Sequence, residues 1–248
     1  RVIPTLLMKD VGLVKGVGFD ASRRVGAAVQ TIKVYNMREV DELVLVDVGA
    51  TREGRPPDFE QIDDLADYCF MPMTVGGGVN SVEHVGRMLQ VGADKVLINT
   101  AGVAQPSLIQ KSAERFGSQC IVVSIDVRLK PDGSYEVYTH AGTRGTGLDP
   151  VIMAQELESQ GAGELLLTSI DRDGTMKGYD IDLIRRVAEA TTMPVVASGG
   201  VGNYRHMAEA LDIDGVSGVA AGSIYHFTEQ TPRDAKMYLR EQGFQVRL

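Results

Sequence analysis

The sequence is poor in cysteine. Its two cysteines, Cys69 and Cys120, are far apart along the chain, and neither belongs to a spacing that is typical of a metal site. We expect both thiols to be reduced and buried as small apolar side chains. The sequence predicts no metal and no cofactor.

The sequence also lacks an excess of positive charge and long hydrophobic runs. It has 25 Lys and Arg against 33 Asp and Glu, a formal net charge of -8, and no basic cluster, which argues against a nucleic-acid partner. It shows no signal-peptide core and no apolar stretch of about 18 residues or more. We therefore expect a soluble, cytoplasmic protein with no membrane partner.

What the chain does contain is an alternation of short β-rich runs with amphipathic segments. Eight such strand–helix units in 248 residues predict a (β/α)8 TIM barrel, a single domain over residues 1–248 with its active site at the C-terminal ends of the strands. A doubly wound open sheet is the alternative, but it would usually have fewer strands. The eight runs are Val2–Met8, Glu42–Asp47, Met71–Val75, Lys95–Asn99, Cys120–Asp126, Glu164–Asp171, Pro194–Ser198 and Val216–Gly222.

Two of the amphipathic segments carry helix-boundary signals. In the segment SVEHVGRMLQVG, Ser81 is the predicted N-cap. In the segment QPSLIQKSAERFG, Pro106 stands near the start and Gly117 at the end. Both segments are therefore predicted helices between strands.

An internal repeat divides the predicted barrel into two halves. Residues 41–54 resemble residues 163–175, and residues 71–84 resemble residues 193–206. Both pairs have the same offset, since 164 − 42 and 193 − 71 both equal 122. Two half-barrels of four units each account for this repeat.

Each half contains a glycine-rich loop between a strand and a helix. The loops are Gly76–Gly78 and Ser198–Gly200, and the next strand of each half ends at a hydroxyl residue, Thr100 or Ser223. Glycines at such places let backbone N–H groups approach an anion. They also simply permit tight turns, but two matched copies favour a ligand with a phosphate at each end.

Acidic residues stand at the predicted C-terminal strand ends. Asp126 ends the apolar run CIVVSID, where packing does not explain a carboxylate, and we take it as the candidate catalytic residue. Asp47 follows the second strand and is a candidate substrate-binding residue. Asp171 and Asp173 follow the sixth; we expect Asp171 to cap its DRDG turn and Asp173 to be functional. Lys15 either reaches a phosphate or is a solvated loop lysine.

These motifs resemble the cyclase subunit of imidazole glycerol phosphate synthase, the HisF-type barrel, over essentially the whole chain. The resemblance is carried by TVGGGV, GADKVLINT, FGSQCIVVSID, GAGELLLTSIDRDGT and ASGGVGN. It implies a glutaminase partner at the N-terminal barrel face. Ammonia would then pass through the barrel to a ribulosyl nucleotide, giving imidazole glycerol phosphate and AICAR.

The resemblance also implies roles for individual residues. A charged ring that gates ammonia entry would consist of Arg1, Glu42, Lys95 and Glu164. A stabilising salt-bridge network is the alternative, but the four residues come from the first, second, fourth and sixth strands, which converge on one axis. The implied phosphate contacts are Gly78, Asn99, Thr100, Asp173, Gly174, Gly200, Gly222 and Ser223.

The first strand departs from the family pattern. There the family has a catalytic Asp, whereas this chain has Leu7, and the overlay of the first strand on CIVVSID also pairs Leu7 with Asp126. Leucine cannot transfer a proton, so efficient cyclisation is doubtful on the sequence alone. Asp10 is nearby but poorly placed to substitute.

The missing carboxylate leaves three hypotheses open. The first is the family cyclase reaction. The second is a divergent branch of the same family, which the chain resembles in its first-strand Leu pair and in NMREVDEL (Asn36 to Leu43). That resemblance implies that the barrel supplies ammonia for converting an acetamido to an acetamidino group on a surface-polysaccharide (O-antigen) sugar. The third is a catalytically silent scaffold that activates the glutaminase. We also expect the glycine-rich segment 140–147 to form a mobile lid at the rim.

Overall fold

The computed structural model describes residues 1–10, 12–20 and 22–247, and in these residues the chain forms twelve strands. In chain order they are β1 (Val2–Lys9), β2 (Gly12–Lys15), β3 (Arg23–Gly26), β4 (Leu43–Asp47), β5 (Met73–Gly76), β6 (Lys95–Ile98), β7 (Ile121–Leu129), β8 (Tyr135–Thr139), β9 (Arg144–Gly145), β10 (Glu164–Ser169), β11 (Val195–Ser198) and β12 (Val216–Ala221).

Eight of these strands, β1, β4, β5, β6, β7, β10, β11 and β12, form a closed parallel barrel. Each pairs in parallel with its neighbour along the chain, and β12 returns to β1, where Ile3 is in register with Ala220. The prediction of a (β/α)8 TIM barrel is confirmed. The repeat is also visible in the barrel, because β5 and β11 begin 122 residues apart, at 73 and 195.

The helices surround the barrel between the strands. They are α1 (Ala28–Met37), α2 (Ala50–Glu53), α3 (Phe59–Ala66), α4 (Val82–Gln90), α5 (Thr100–Ala104), α6 (Ser107–Phe116), α7 (Pro150–Ser159), α8 (Ile181–Ala188), α9 (Tyr204–Leu211), α10 (Ser223–Phe227) and α11 (Pro232–Glu241). Among the described residues, no helix is both long and apolar enough to span a bilayer.

The residues predicted to begin and end two of the helices lie at the boundaries of α4 and α6. The Ser81 side chain accepts a hydrogen bond from the His84 N–H and caps α4, so this prediction is confirmed. Pro106 immediately precedes α6, and Gly117 ends that helix with a φ of 91°. Ser81 and Pro106 therefore mark where these helices begin, and Gly117 marks where the chain leaves α6 towards the next strand.

Two antiparallel hairpins were not predicted. Strands β2 and β3 pair with each other and β2 with β1, while β8 pairs with β7 and β9 with β8. Because β8 extends the pairing, β7 continues past Asp126 to Leu129 instead of ending at the carboxylate. Both hairpins leave the barrel at its C-terminal end.

The cysteines are free, but they are half-buried. Cys69 lies between α3 and β5, and its Sγ donates to the Met71 carbonyl over 3.4 Å; Cys120 lies in a short 3-10 turn before β7. The prediction of full burial is wrong because both thiols lie just outside the strands that they precede.

Candidate functional site

The C-terminal end of the barrel opens into one pocket that brings the predicted catalytic and phosphate-contact residues together. They come from loops that are far apart in sequence and lie at the ends of most of the barrel strands. The predicted residues that line this pocket are Leu7, Lys15, Asp47, Gly78, Asn99, Thr100, Asp126, Asp173, Gly174, Gly200, Gly222 and Ser223.

Asp126 lies buried in the wall of this pocket. Asn99 Nδ2 donates to its Oδ2 over 2.9 Å, and Ser124 Oγ donates to its Oδ1 over 3.4 Å. Burial raises the pKa of Asp126 to about 7, the Asp173 charge adds to that effect, and the two hydrogen bonds oppose it. Near neutral pH both protonation states are populated, so Asp126 can act as a general acid or base.

Leu7 faces the same pocket from β1. It is in register with Val46 of β4 on one side and with Val14 of β2 on the other. Asp10 does not replace the missing carboxylate: more than half of its side chain is exposed, it lies 3.8 Å from Arg24, and it is not part of the described pocket lining. The pocket centre therefore has a carboxylate on one wall and an apolar side chain on another.

Lys15 defines one end of the pocket. It is 5% exposed, and a Cβ placed on Gly222 would lie 2.0 Å from its Nζ, so the amine lies directly against that glycine. Burial lowers the pKa of Lys15, and the Asp173 carboxylate partly offsets this. The burial of Asp173 raises its own pKa against the opposing charge of Lys15. This buried amine rules out the interpretation of Lys15 as a solvated loop lysine.

The opposite end of the pocket is built by the first half of the barrel. Thr100 Oγ1 donates to Asn99 Oδ1 over 3.2 Å and accepts a hydrogen bond from the His140 N–H over 3.0 Å. The Gly78 N–H donates to Thr51 Oγ1 over 3.4 Å. These contacts gather polar groups of four segments at one place.

The two glycine loops have a steric requirement of their own. Gly78 has a φ of 71°, and a Cβ there would lie 2.6 Å from the Arg55 carbonyl oxygen. Gly200 has a φ of 109°, and its Cβ would lie 2.3 Å from the Gly178 carbonyl oxygen. Tight packing alone therefore demands glycine at both positions, in addition to any role in anion binding.

Asp47 lies at the pocket edge, and its carboxylate is held by hydrogen bonds to neighbouring groups of the chain. Oδ1 accepts from the N–H groups of Gly49 and Ala50 over 2.9 and 3.1 Å, and Oδ2 lies 3.3 Å from two guanidinium nitrogens of Arg55. These bonds organise the turn into α2. Asp171 also has a structural contact, because its Oδ2 accepts from the Leu129 N–H over 3.0 Å. It thus ties its loop to β7 instead of capping the DRDG turn.

The predicted charged ring closes the other end of the barrel. Arg1 is paired with Glu42 over 2.5 Å and with Glu164, while Lys95 Nζ lies 3.1 Å from Glu42 and 2.9 Å from Glu164. Burial acts to raise the pKa of Glu164, but the hydrogen bonds and charges of Arg1 and Lys95 hold it below its ordinary value. Each carboxylate thus contacts both cations.

An apolar layer fills the barrel between the charged ring and the pocket. Its members are buried side chains from the barrel strands, and several of them also form the pocket floor. They are Ile3, Val44, Leu97, Val122, Leu166, Val196 and Ala220. The barrel interior therefore changes from charged to apolar to polar along its axis.

Several pocket residues were not predicted. Ser124 has a signal in the sequence, because it is two residues before Asp126 and alternate strand residues share a face. Thr51 and Arg52 follow a strand in a short helix and carry no such signal. The segment 140–147 is a turn followed by β9, and its Ala141 lines the pocket; its mobility remains a prediction.

The comparison with known families agrees with this architecture. A family model described as histidine biosynthesis protein matches residues 1–231. The chain therefore belongs to that family, and the predicted HisF-type membership is confirmed.

Proposed function

We propose that the chain is the synthase-side barrel of a glutamine-dependent amidotransferase, which takes ammonia from a glutaminase partner to a phosphorylated substrate. The observation that carries this proposal is the order of groups along the barrel axis: charged ring, apolar layer, then a pocket with Asp126. We propose that the transferred molecule crosses this apolar layer, which disfavours a charged species and favours a small neutral one. Ammonia has the required size and neutrality.

The N-terminal face of the barrel supports the partner assignment. Met37 at the end of α1 is 75% exposed, and Phe70 before β5 is 84% exposed. Asn36 joins their segments, since it donates to the Tyr68 carbonyl and accepts from the Phe70 N–H. Exposed large apolar side chains on the segments that lead into β4 and β5, at the N-terminal side of the barrel, suit a protein interface. The glutaminase is the proposed occupant.

The pocket supports a substrate with a phosphate at each end. The first-half site would use Gly78, Asn99 and Thr100; the second-half site would use Gly174, Gly200, Gly222 and Ser223 with Lys15. We propose that Asp173 acts mainly through Lys15, because a carboxylate repels a phosphate directly. The reacting atoms would lie between the two sites, beside Asp126.

Leu7 bears on which reaction takes place. The family cyclisation, ammonia plus the ribulosyl nucleotide PRFAR to imidazole glycerol phosphate and AICAR, has a carboxylate at this position. The alternative is ammonia supply for acetamidino-sugar formation in O-antigen biosynthesis. The apolar Leu7 wall, with Asp10 outside the described pocket lining, favours this alternative. A silent scaffold is disfavoured by the buried Asp126 and Lys15, which a scaffold has no need to keep.

The cyclase assay separates the two reactions. Purified protein is given ammonium and the ribulosyl nucleotide, and absorbance follows product formation. We expect turnover more than about 10²-fold below that of a family cyclase, because one general acid–base group is worth roughly that much. Turnover within tenfold of a family cyclase would exclude the amidination proposal. Leu7→Asp should raise cyclisation, while Leu7→Asn, similar in size but unable to titrate, should not.

Ammonia conduction is tested at the charged ring. With a glutaminase partner present, Lys95→Met should lower product formed per glutamine hydrolysed at least several-fold, because Glu42 and Glu164 lose one of their two cations. Added ammonium should restore the rate. Lys111→Met, on the exposed face of α6, is the matched control. An unchanged ratio in Lys95→Met would contradict passage through the ring.

A further inference from the structure

We infer that Arg52 is a ligand of the substrate phosphate at the first-half end of the pocket. This inference rests on the proposed substrate with two phosphates and identifies a binding residue that neither the repeat nor the family resemblance provides. The position 122 residues further on, the counterpart of Arg52 in the second half, is Gly174.

The distribution of charge in the pocket is the first argument. Among the described residues that line it, two are cationic, Lys15 and Arg52. Lys15 lies against Gly222 at the second-half end. A phosphate monoester carries a charge of about −1.5 to −2 at neutral pH, so a cation at each end would strengthen its binding by the backbone N–H groups. Arg52 is the one available to the first half.

The position of Arg52 next to the glycine loop is the second argument. Its neighbour in α2, Thr51, accepts a hydrogen bond from the Gly78 N–H over 3.4 Å. Gly78 belongs to the glycine loop that forms the first-half site, and both Thr51 and Arg52 line the pocket. The start of the Arg52 side chain is therefore adjacent to the proposed anion site.

The guanidinium lies near the other part of that site. Arg52 Nη2 donates to the Ala141 carbonyl over 2.6 Å, and Nε donates to the His140 carbonyl over 3.4 Å. The N–H of the same His140 donates to Thr100 Oγ1 over 3.0 Å. Arg52 is thus linked to Gly78 through its neighbour Thr51, and to Thr100 through His140.

The bonding of the guanidinium leaves capacity for an anion. It has five N–H donors, of which two are bonded within the described part of the chain, both to neutral carbonyls. Bonds from a guanidinium to phosphate are charge-assisted, roughly twice as strong as neutral ones, and often bidentate. Arg52 is exposed, so it can turn from these carbonyls to a phosphate without breaking buried packing.

The test adds inorganic phosphate as the ligand and follows two backbone amides, one at each proposed site. In a TROSY NMR titration of the whole chain, the Gly78 amide reports the first-half site and the Gly222 amide the second. Arg52→Gln should raise the apparent Kd for phosphate at the Gly78 amide about tenfold. The apparent Kd at the Gly222 amide should stay within about twofold of wild type. The apparent Kd of Arg52→Lys at the Gly78 amide should lie between those of wild type and Arg52→Gln, because lysine keeps the charge but cannot donate two parallel hydrogen bonds.

A control variant on another helix separates the loss of a charge from the loss of a phosphate ligand. Arg185→Gln removes the same charge from the exposed face of α8 and should change neither Kd. If Arg52→Gln leaves the Gly78 titration unchanged while wild type binds at both ends, the Arg52 assignment is wrong and the two-phosphate substrate stands. If phosphate shifts neither amide in wild type, both proposals fall.

Discussion

The two halves of the barrel share a backbone plan but differ in the chemistry that they bring to the pocket. The second half supplies a buried carboxylate, Asp126, whereas the first half supplies Leu7 at the matching position on its own first strand. Both cations of the pocket come from the first half but lie at opposite ends: Lys15 is buried against the Gly222 loop, and Arg52 is exposed beside the Gly78 loop. Equivalent loop geometry has thus been kept while the reacting groups have diverged.

The largest effect is expected on catalytic turnover, where substitutions at Asp126 and Leu7 are compared. If the proposed function is correct, Asp126→Asn should lower ammonium-dependent turnover of the substrate by about 10²- to 10⁴-fold, because it removes the proposed proton-transfer group. Leu7→Asn should cost less than about tenfold. Steady-state rates for both variants test this. Equal losses in the two would mean that the halves are not chemically distinct and that Asp126 has only a structural role.

The next effect is on stability and depends on pH. The pKa of Asp126 is about 7 in the folded chain, against an ordinary 3.8. The folded state therefore binds this proton more tightly than the unfolded state, and the wild-type protein loses stability as pH rises from about 4 to 7. A difference of about three pKa units corresponds to at most about 4 kcal/mol. Asp126→Asn cannot ionise and should therefore gain stability relative to wild type over this range.

Urea unfolding at pH 4.5 and pH 8 measures this difference in the free energy of unfolding. Asp171→Asn, which changes a carboxylate of the same strand-end region outside the pocket, is the matched control. If the Asp126→Asn variant shows no relative gain between the two pH values, the carboxylate is already well solvated or paired. The contrast between its wall of the pocket and the Leu7 wall would then be smaller than the structure indicates.

The smallest effect concerns the second cation. Lys15→Met should weaken inorganic phosphate binding at the Gly222 amide about tenfold and leave the Gly78 amide unaffected, the reverse of the Arg52→Gln result. The same NMR titration measures it. Lys9→Met, an exposed lysine of β1, provides the control. If both amides respond to Lys15→Met, the two anion sites are coupled and do not belong to separate halves.

The barrel could be predicted because its signals are strong and local. Each parallel strand is a short apolar run, and the glycine loops recur at a fixed offset. The hairpins β2–β3 and β8–β9 could not be predicted in this way, since Arg23–Gly26 is mostly exposed and β9 has only two residues, which leaves no apolar period to detect.

The site was predictable to the extent that it follows the repeat or the family. Asp126 and the glycine loops carried signals of their own, and the charged ring followed from the resemblance. Arg52 could not be found by comparison of the halves, because its counterpart is a glycine. The bond between Asn99 and Asp126 joins two different strand ends, so only the three-dimensional structure reveals it.

The balance of charge in the charged ring depends on both halves of the barrel. Its first half contributes Arg1, Glu42 and Lys95, and its second half contributes Glu164. Two copies of the first half would gather four cations and two carboxylates, and two copies of the second would gather only carboxylates. The balance of two cations against two carboxylates in the ring therefore depends on a difference in sequence between the halves. In the proposed function, this difference is what makes the ammonia entrance neutral overall.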